Sequence, residues 1–527
     1  MEQQVFRDPW IPIVQQALLL VNLSKTFHLP TGMDSITIAI NNQCLNLSEA
    51  RMQFFTLNQA DDVVYRAKWD INNDSCWTKK TITFAAKDAT DLSLDIYLFG
   101  LSYDSTKIQK FWIDKIDIEI DNKPIEQYKN TEIQAVVDFD QQQKIELSFQ
   151  DSSSFAAIPI PDSATIIGIG ESMHGSHSFA QTEIALLKNL IQNRSCKLVL
   201  LEGSLYHILL WNLFIHEKIN TEDFEAHQYW VENANYSFDV WYDFLLWLRQ
   251  YNQTNTESVS IFGLYDVQLD RWRNPLFTYL NCFITAQNKQ QLLPLLQMIE
   301  DAKWEAIISF IDSDTALRSI MGDDFYADFE YALRQVIKHT QQNISANNII
   351  NSMISRDSTM YLSIQTWISR YGDRLAIVAH NSHLNKKAQG LAASEDIYSL
   401  GYYIDQQYKN QYYTLGLFCG QGAIQYMDTC VVDLPSPIKN SIEYLCLQQA
   451  DSFFFYPTKT LSQKMYYRGV GARYDATMEY RYFGNLSERI DGLIYLSESR
   501  AQPRNYKMPK SAMFEQVNIL KELKQKY

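Results

Sequence analysis

The stretch Thr165–Gln181, TIIGIGESMHGSHSFAQ, places an apolar run, three glycines, one carboxylate and two histidines in seventeen residues. The chain has only nine histidines in all. TIIGIG is continuous in its apolar character and too short for a helix, which reads as a strand buried on both faces. The residues after it repeat at helical spacing, with Ile184, Leu187 and Ile191 on one stripe of a helix expected over Phe179–Gln192. A buried strand, a glycine-bearing loop and a helix in that order make the first unit of a parallel sheet. The glycines at 168, 170 and 175 are expected to let the backbone turn tightly and bring His174 to the rim.

Three further runs repeat the pattern: KLVLLEG (197–203), VSIFGLYD (259–266) and LAIVAHN (375–381). Long helical segments separate them, so the expected fold class is α/β, a parallel sheet covered by helices. The part from 276 to 370 reads as a helical insertion or cap, and YYTLGLFCG and RIDGLIYLS as later strands. Each of the four runs ends in titratable residues: Glu171 and His174, Glu202, Asp266, then His380 and His383. Parallel strands deliver their following loops to one face, where ligands bind. Six such residues converging on one rim form a stronger signal than any one of them. Singly, each reads more readily as a helix cap or a hydrogen-bonded core residue.

Upstream the period changes. From about 34 to 149 the segments SITIAI, TITFAA, LSLDIYLF, WIDKIDIEI and KIELSF alternate apolar with polar residues between turn-forming stretches. This predicts an antiparallel β-sandwich, loosely similar to jelly-roll modules that accompany bacterial enzymes. The expected division is a β-sandwich accessory domain over 1–150 and an α/β domain over 160–527, joined by QDSSSFAAIPIPDSA.

With 46% hydrophobic residues and 13% aromatic, the chain is globular. A net charge of −15 without any basic run argues against nucleic acid as a partner. No apolar run approaches the roughly 18 residues that span a bilayer, so no membrane association is expected. The seven cysteines show neither CxxC pairs nor zinc-ligand spacing, which suits reduced thiols in a cytoplasmic protein.

Glu171, three residues before His174, can accept an imidazole N–H and leave the other ring nitrogen as a base. Zinc is the competing reading, because HxxH pairs with carboxylates can ligate it. Both pairs, however, follow strands instead of lying on a helix, and Asn381 stands where a metal would gain more from an anion. Metal-free acid–base chemistry, with no cofactor, is the preferred expectation.

GESMHGSHSF, Glu202 in LLEGS, RDSTM (356–360) and AHNSH (379–383) together resemble the erythromycin esterase family. The similarity runs over about residues 160–503 and continues through SIEYL, YYRGVG and ERIDGLIYLSESRAQP. The resemblance implies ester or macrolactone hydrolysis without a metal, with His174 as general base and Glu171 orienting it. It also implies that Glu202, Arg356, His380 and His383 line the same pocket, with Arg356 as carbonyl partner. His177, Asp266 and Asn381 are expected to contact a small-molecule substrate, large and amphipathic. Taken alone, RDSTM reads as an ion pair on a helix surface. Members of the family usually carry arginine nine residues after the loop histidine, where this chain has Glu183. That exchange, and a β-domain outside the esterase core, direct the expectation away from macrolides toward another natural product. A lyase, dehydratase or cyclase using the same base is the alternative, and a non-catalytic binding protein the third.

Overall fold

The computed structural model describes residues 19–502, apart from 31, 46–48, 59–62, 72–76, 101–109, 128–138, 228–237, 266–275, 277–278, 281, 284–287, 302, 314, 346–348, 388–397, 427–429 and 470–481. Its first part is a pair of four-stranded antiparallel sheets. The strands are β1 (Leu19–His28), β2 (Ser35–Leu45), β3 (Glu49–Leu57), β4 (Val63–Ile71), β5 (Thr78–Ala85), β6 (Asp91–Gly100), β7 (Lys110–Ile120) and the short β8 (Lys123–Pro124). They lie in the orders β1-β6-β3-β4 and β5-β2-β7-β8. Ile36, Ile38 and Ile40 of β2 point inward at spacing two and share a core with Met52, Phe54, Leu92 and Leu94 of the other sheet. The intervening Thr37 and Ala39 are only half-buried; Thr37 and Thr83 pair their hydroxyls across the exposed face at 2.8 Å.

The sandwich starts earlier and stops sooner than the alternation from 34 to 149 suggested. β1 precedes residue 34, and KIELSF contributes β9 (Ile145–Glu146), which pairs antiparallel with β16 of the second sheet. Leu147 N–H continues that attachment by donating to Phe453 O at 3.0 Å. The segment is an edge strand for the next domain, and a two-residue strand leaves too short an alternation to show which sheet it serves.

The second sheet has nine strands. They are β9, β10 (Ile166–Glu171), β11 (Leu198–Leu201), β12 (Ser260–Gly263), β13 (Leu375–His380), β14 (Tyr412–Tyr426), β15 (Cys430–Leu434), β16 (Phe453–Pro457) and β19 (Gly492–Ser499). A separate hairpin pairs β17 (Lys464–Tyr467) with β18 (Tyr482–Asn485). The order β12-β11-β13-β10-β14-β19 is parallel throughout, then β16 and β9 run antiparallel, while β15 pairs with the far half of β14. The four apolar runs quoted above are β10 to β13, and every residue of these strands is buried. The chain leaves β10 for β11 on one side and leaves β13 for β14 on the other. That reversal opens a crevice beyond the carboxyl ends of β10 and β13.

The helix after β10 spans His177–Arg194, begins at Ser176, whose hydroxyl accepts from Phe179 N–H at 3.2 Å, and ends at Ser195 in the left-handed region. Between β12 and β13 come helices Lys289–Glu300, Trp304–Ser313, Thr315–Met321, Asp323–Ser345 and Ile349–Tyr371, in keeping with the helical insertion expected there. The sandwich meets the β17–β18 hairpin at a buried ion pair, Lys464 Nζ with Asp91 Oδ2 at 2.5 Å. The same ammonium reaches Asn58 O and Thr90 Oγ1. Among the described residues no helix is long and apolar enough to cross a membrane.

Candidate functional site

Glu171 is the last residue of β10 and lies in register with His380, the last of β13. Glu202 follows β11 directly, and its N–H still donates to Val378 O of β13 at 2.8 Å. Three strand ends thus place one carboxylate, one histidine and a second carboxylate side by side. The loop after β10 then doubles back to add His174. It is pinned from outside: Ser172 N–H donates to Leu417 O, Gln425 N–H to Gly175 O, and His177 N–H to Arg500 O. Ser176 and Ser499 share a hydroxyl bond at 2.8 Å. The sequence from 499 to 502 therefore acts as a clamp on the histidine loop.

Of the three glycines, only Gly175 has a positive φ, +81°, and a Cβ there would fall 1.9 Å from Gln425 O. Gly168 and Gly170 lie inside β10 and do not turn the chain. They make room instead: a Cβ on Gly170 would meet the Asn381 side-chain amide at 2.2 Å, and one on Gly168 would meet Thr414 Oγ1 at 3.0 Å.

His174 Nδ1 lies 2.6 Å from Glu171 Oε1, and the pair is buried. Nε2 of His174 makes no hydrogen bond to any described residue. Burial pushes the ring down to about 4, with Glu202 and Glu183 opposing and His383 and Arg356 assisting. Burial, then the charge of Glu202, pushes the Glu171 carboxyl well above its ordinary range. An apolar surrounding penalises either charge, so the ring stays neutral.

His380 is 5.1 Å from His174, centroid to centroid, and is committed at both nitrogens. Its Nδ1 accepts from Ser382 N–H at 3.2 Å and from Ser382 Oγ at 2.7 Å, while Nε2 faces Ser172 O at 3.2 Å. Those partners fix the Nε2–H tautomer, and burial pushes the ring down to about 3. His380 thus caps the helix Asn381–Leu384 and braces the loop that carries His174.

The remaining groups form an ionic cluster. Arg356, from the helix Ile349–Tyr371, reaches Glu202 Oε1 at 2.6 Å, and His383 Nε2 reaches the same oxygen at 3.2 Å. Glu202 Oε2 accepts from His380 N–H at 2.8 Å. Asp357 grips the other side of His383, with both carboxylate oxygens 2.9 Å from Nδ1. Burial disfavours the imidazolium, but Asp357 and Glu202 outweigh it and hold His383 up at about 9. Burial likewise works against the Glu202 carboxylate, yet His383 and Arg356 hold it well below its ordinary range. Arg356 Nη1 also approaches His383 Nε2 at 3.3 Å. With the ring protonated both nitrogens are donors, so Glu202 Oε1 between them is what links the two cations.

The structure brings Glu171, His174, Glu202, Arg356, His380 and His383 into one contiguous network. Asn381 is buried beside it: in the orientation that satisfies both amide atoms, Nδ2 donates to Gly170 O at 3.1 Å and Oδ1 accepts from Ser172 N–H at 3.3 Å. Those bonds join β10 to its own loop. His177 opens its helix with Nδ1 3.8 Å from Asp239 Oδ2, at the edge of the network. Asp266 lies outside the described residues. Among those described, no group of three or more His, Cys, Asp or Glu is arranged to hold a metal ion. Sequence reading passed over Asp357, whose signal was its place beside Arg356 in RDSTM, and Tyr265, whose ring lies 5.2 Å from the Arg356 guanidinium carbon.

Fold and site together define an α/β protein with a buried glutamate–histidine pair at parallel strand ends. The family model described as erythromycin esterase matches residues 311–499 of this chain. A crystal structure of a Bacillus cereus protein aligns at TM-score 0.52, with 17% identity over 69% of this chain and 97% of that one. A succinoglycan biosynthesis protein aligns at TM-score 0.53, with 14% identity over 69% and 97%. At such identities the likeness is one of fold. A mutant erythromycin esterase in its open conformation aligns at TM-score 0.46, with 15% identity over 68% and 98%. No curated protein matches the sequence.

Proposed function

We propose that the protein hydrolyses an ester or lactone of a large amphipathic small molecule, without a metal, and that His174 is the general base. The observation that carries this reading is the 2.6 Å contact between His174 Nδ1 and Glu171, which leaves Nε2 without a hydrogen-bond partner among the described residues. With Glu171 ionised and accepting Nδ1–H, the Nε2 lone pair takes a proton from water as its oxygen attacks the acyl carbon. The carboxylate then stabilises the imidazolium until it returns that proton to the leaving alkoxide. Arg356, whose Nε–H is without a hydrogen-bond partner among the described residues, offers its guanidinium to the carbonyl oxygen as charge develops there. His380, tied at both nitrogens, positions the loop and exchanges no proton.

A panel of p-nitrophenyl esters and macrocyclic lactones, followed by mass spectrometry, tests this reading with the full chain. Hydrolysis adds one water to the substrate. Loss of one water, or an unchanged mass with a new product, would replace it with elimination or isomerisation. His174→Gln is expected to lower kcat by ~10²–10⁴-fold, the usual contribution of a positioned base. Near-normal turnover in that variant would assign the base elsewhere.

A further inference from the structure

The helix His177–Arg194 buries Phe179, Ala180, Ile184, Leu187 and Leu190 against the sheet, and one carboxyl lies among them. Glu183 is 2% exposed, and its Oε1 has no hydrogen-bond partner among the described residues. The titratable groups it feels are Glu171, from the end of β10, and His174, from the loop. His174 in turn feels Glu202 beyond β11, Arg356 from the insertion's last helix and His383 beyond β13. The cations at Arg356 and His383 are already engaged with Glu202 and Asp357. Two carboxyls this deep beside one neutral ring cannot both ionise cheaply.

We infer that Glu183 is a positioning residue of the same reaction: a permanently neutral carboxylic acid that holds the proton of the Glu171–Glu183 pair, so that Glu171 stays ionised and His174 keeps its Nδ1–H tautomer. It rests on the reading of His174 as base. Glu183 takes part in no net transfer: the proton from water goes to His174 Nε2 and then to the leaving group. The hydrogen-bond geometry supports this assignment. Glu171 Oε1 has His174 Nδ1 at 2.6 Å, whereas Glu183 Oε1 has no hydrogen-bond partner among the described residues. A buried carboxylate that accepts a hydrogen bond costs less than one that accepts none, so the charge settles on Glu171 and the proton on Glu183. Were Glu171 to keep it instead, its O–H would donate to Nδ1, and His174 would present Nε2–H, a donor where a base is needed.

Two measurements test this without relying on turnover. The first is urea unfolding of wild type and Glu183→Gln between pH 5 and 7. A folded-state pKa above that of the unfolded chain makes the fold keep a proton the unfolded chain releases, so wild type should weaken as pH rises. Relative to Glu183→Gln, its unfolding constant should grow about tenfold per pH unit. A ratio that stays constant over this range would show Glu183 ionised or merely filling space. The second is ¹⁵N NMR of histidine-labelled protein, with His174 assigned by its absence in His174→Gln. Both wild type and Glu183→Gln should show the Nδ1–H tautomer, and an Nε2–H signal in wild type would move the proton to Glu171 and overturn the inference. If both measurements come out as expected but His174→Gln keeps normal turnover, the reading of His174 as base fails while the proton assignment stands.

Discussion

Glu171 with His174 and Glu202 with His383 use the same two residue types, both buried at the carboxyl ends of strands in one sheet, yet they settle in opposite states. In the first pair burial raises the acid and lowers the base to about 4. In the second the acid is depressed and the histidine held at about 9. Desolvating one ion in a protein costs several kcal/mol, and one opposite charge at about 4 Å returns roughly 4 kcal/mol at an effective dielectric constant near 20. A single partner therefore only breaks even. His383 has two carboxylates and Glu202 has two cations, so both ionise. For His174 the pull of Glu202 is offset by Arg356 and His383, and burial decides. Burial alone does not set a charge state; the count of opposite charges within reach does. The cluster gives the site fixed charges, and the neutral His174 ring is left free to take a proton.

The largest way to break this contrast is Arg356→Met. It leaves Glu202 buried with one cation instead of two and removes the proposed carbonyl partner. We expect kcat to fall by about 10²–10³-fold. Removing one partner of a buried ion pair typically costs about 3–5 kcal/mol, readable by urea unfolding at pH 7. A change under about 1 kcal/mol, the worth of a surface pair, would mean the cluster is effectively solvated.

Asp357→Asn should break the second pair more gently. The folded pKa of His383 lies above its ordinary 6.5, at about 9. The stabilisation from this proton is therefore present in full below pH 6.5 and lost as pH rises through about 9. At about 1.4 kcal/mol per unit this is on the order of 3 kcal/mol. Asparagine in place of Asp357 removes one of the two carboxylates that outweigh burial, so the fall in stability between pH 6.5 and 9 should flatten. An unchanged slope would show that Glu202 alone holds the proton on His383.

The sequence displayed the neutral half of the site better than the ionic half. β10 to β13 were legible because strands covered on both faces are apolar at every position, and each ended in a titratable residue. Glu171 and His174 lie three residues apart, so their pairing is local. Asp357 meets His383 only because a helix from a long insertion crosses back over the strand ends, and no spacing encodes that approach. The tautomer of His380, fixed by Ser172 O and Ser382 N–H, is a tertiary fact that no spacing shows. The sandwich was readable from its period of two, but β1, which precedes the alternating segments, and β9, only two residues long, gave too little alternation to assign.

The smallest test lies on the rim of the ionic cluster. Tyr265, two residues beyond β12, has its ring 5.2 Å from the Arg356 guanidinium carbon, on the charged side of the site. A cation over an aromatic face is worth about 0.5–1 kcal/mol when exposed and about 2 when desolvated. Arg356 is between those limits, with its side chain 28% exposed. Tyr265→Leu keeps most of the apolar contact and removes the ring's quadrupole. It should therefore cost about 1 kcal/mol of stability at pH 7 and lower kcat a few-fold, by letting the guanidinium tilt away from Glu202. Paired with Arg356→Met in a double-mutant cycle, the two losses should be less than additive, because the ring has no cation to hold once Arg356 is gone. The same cycle against His174→Gln should be additive in stability, since the ring meets the site through Arg356. Coupling to His174 instead of Arg356 would erase the boundary between the two halves of the site.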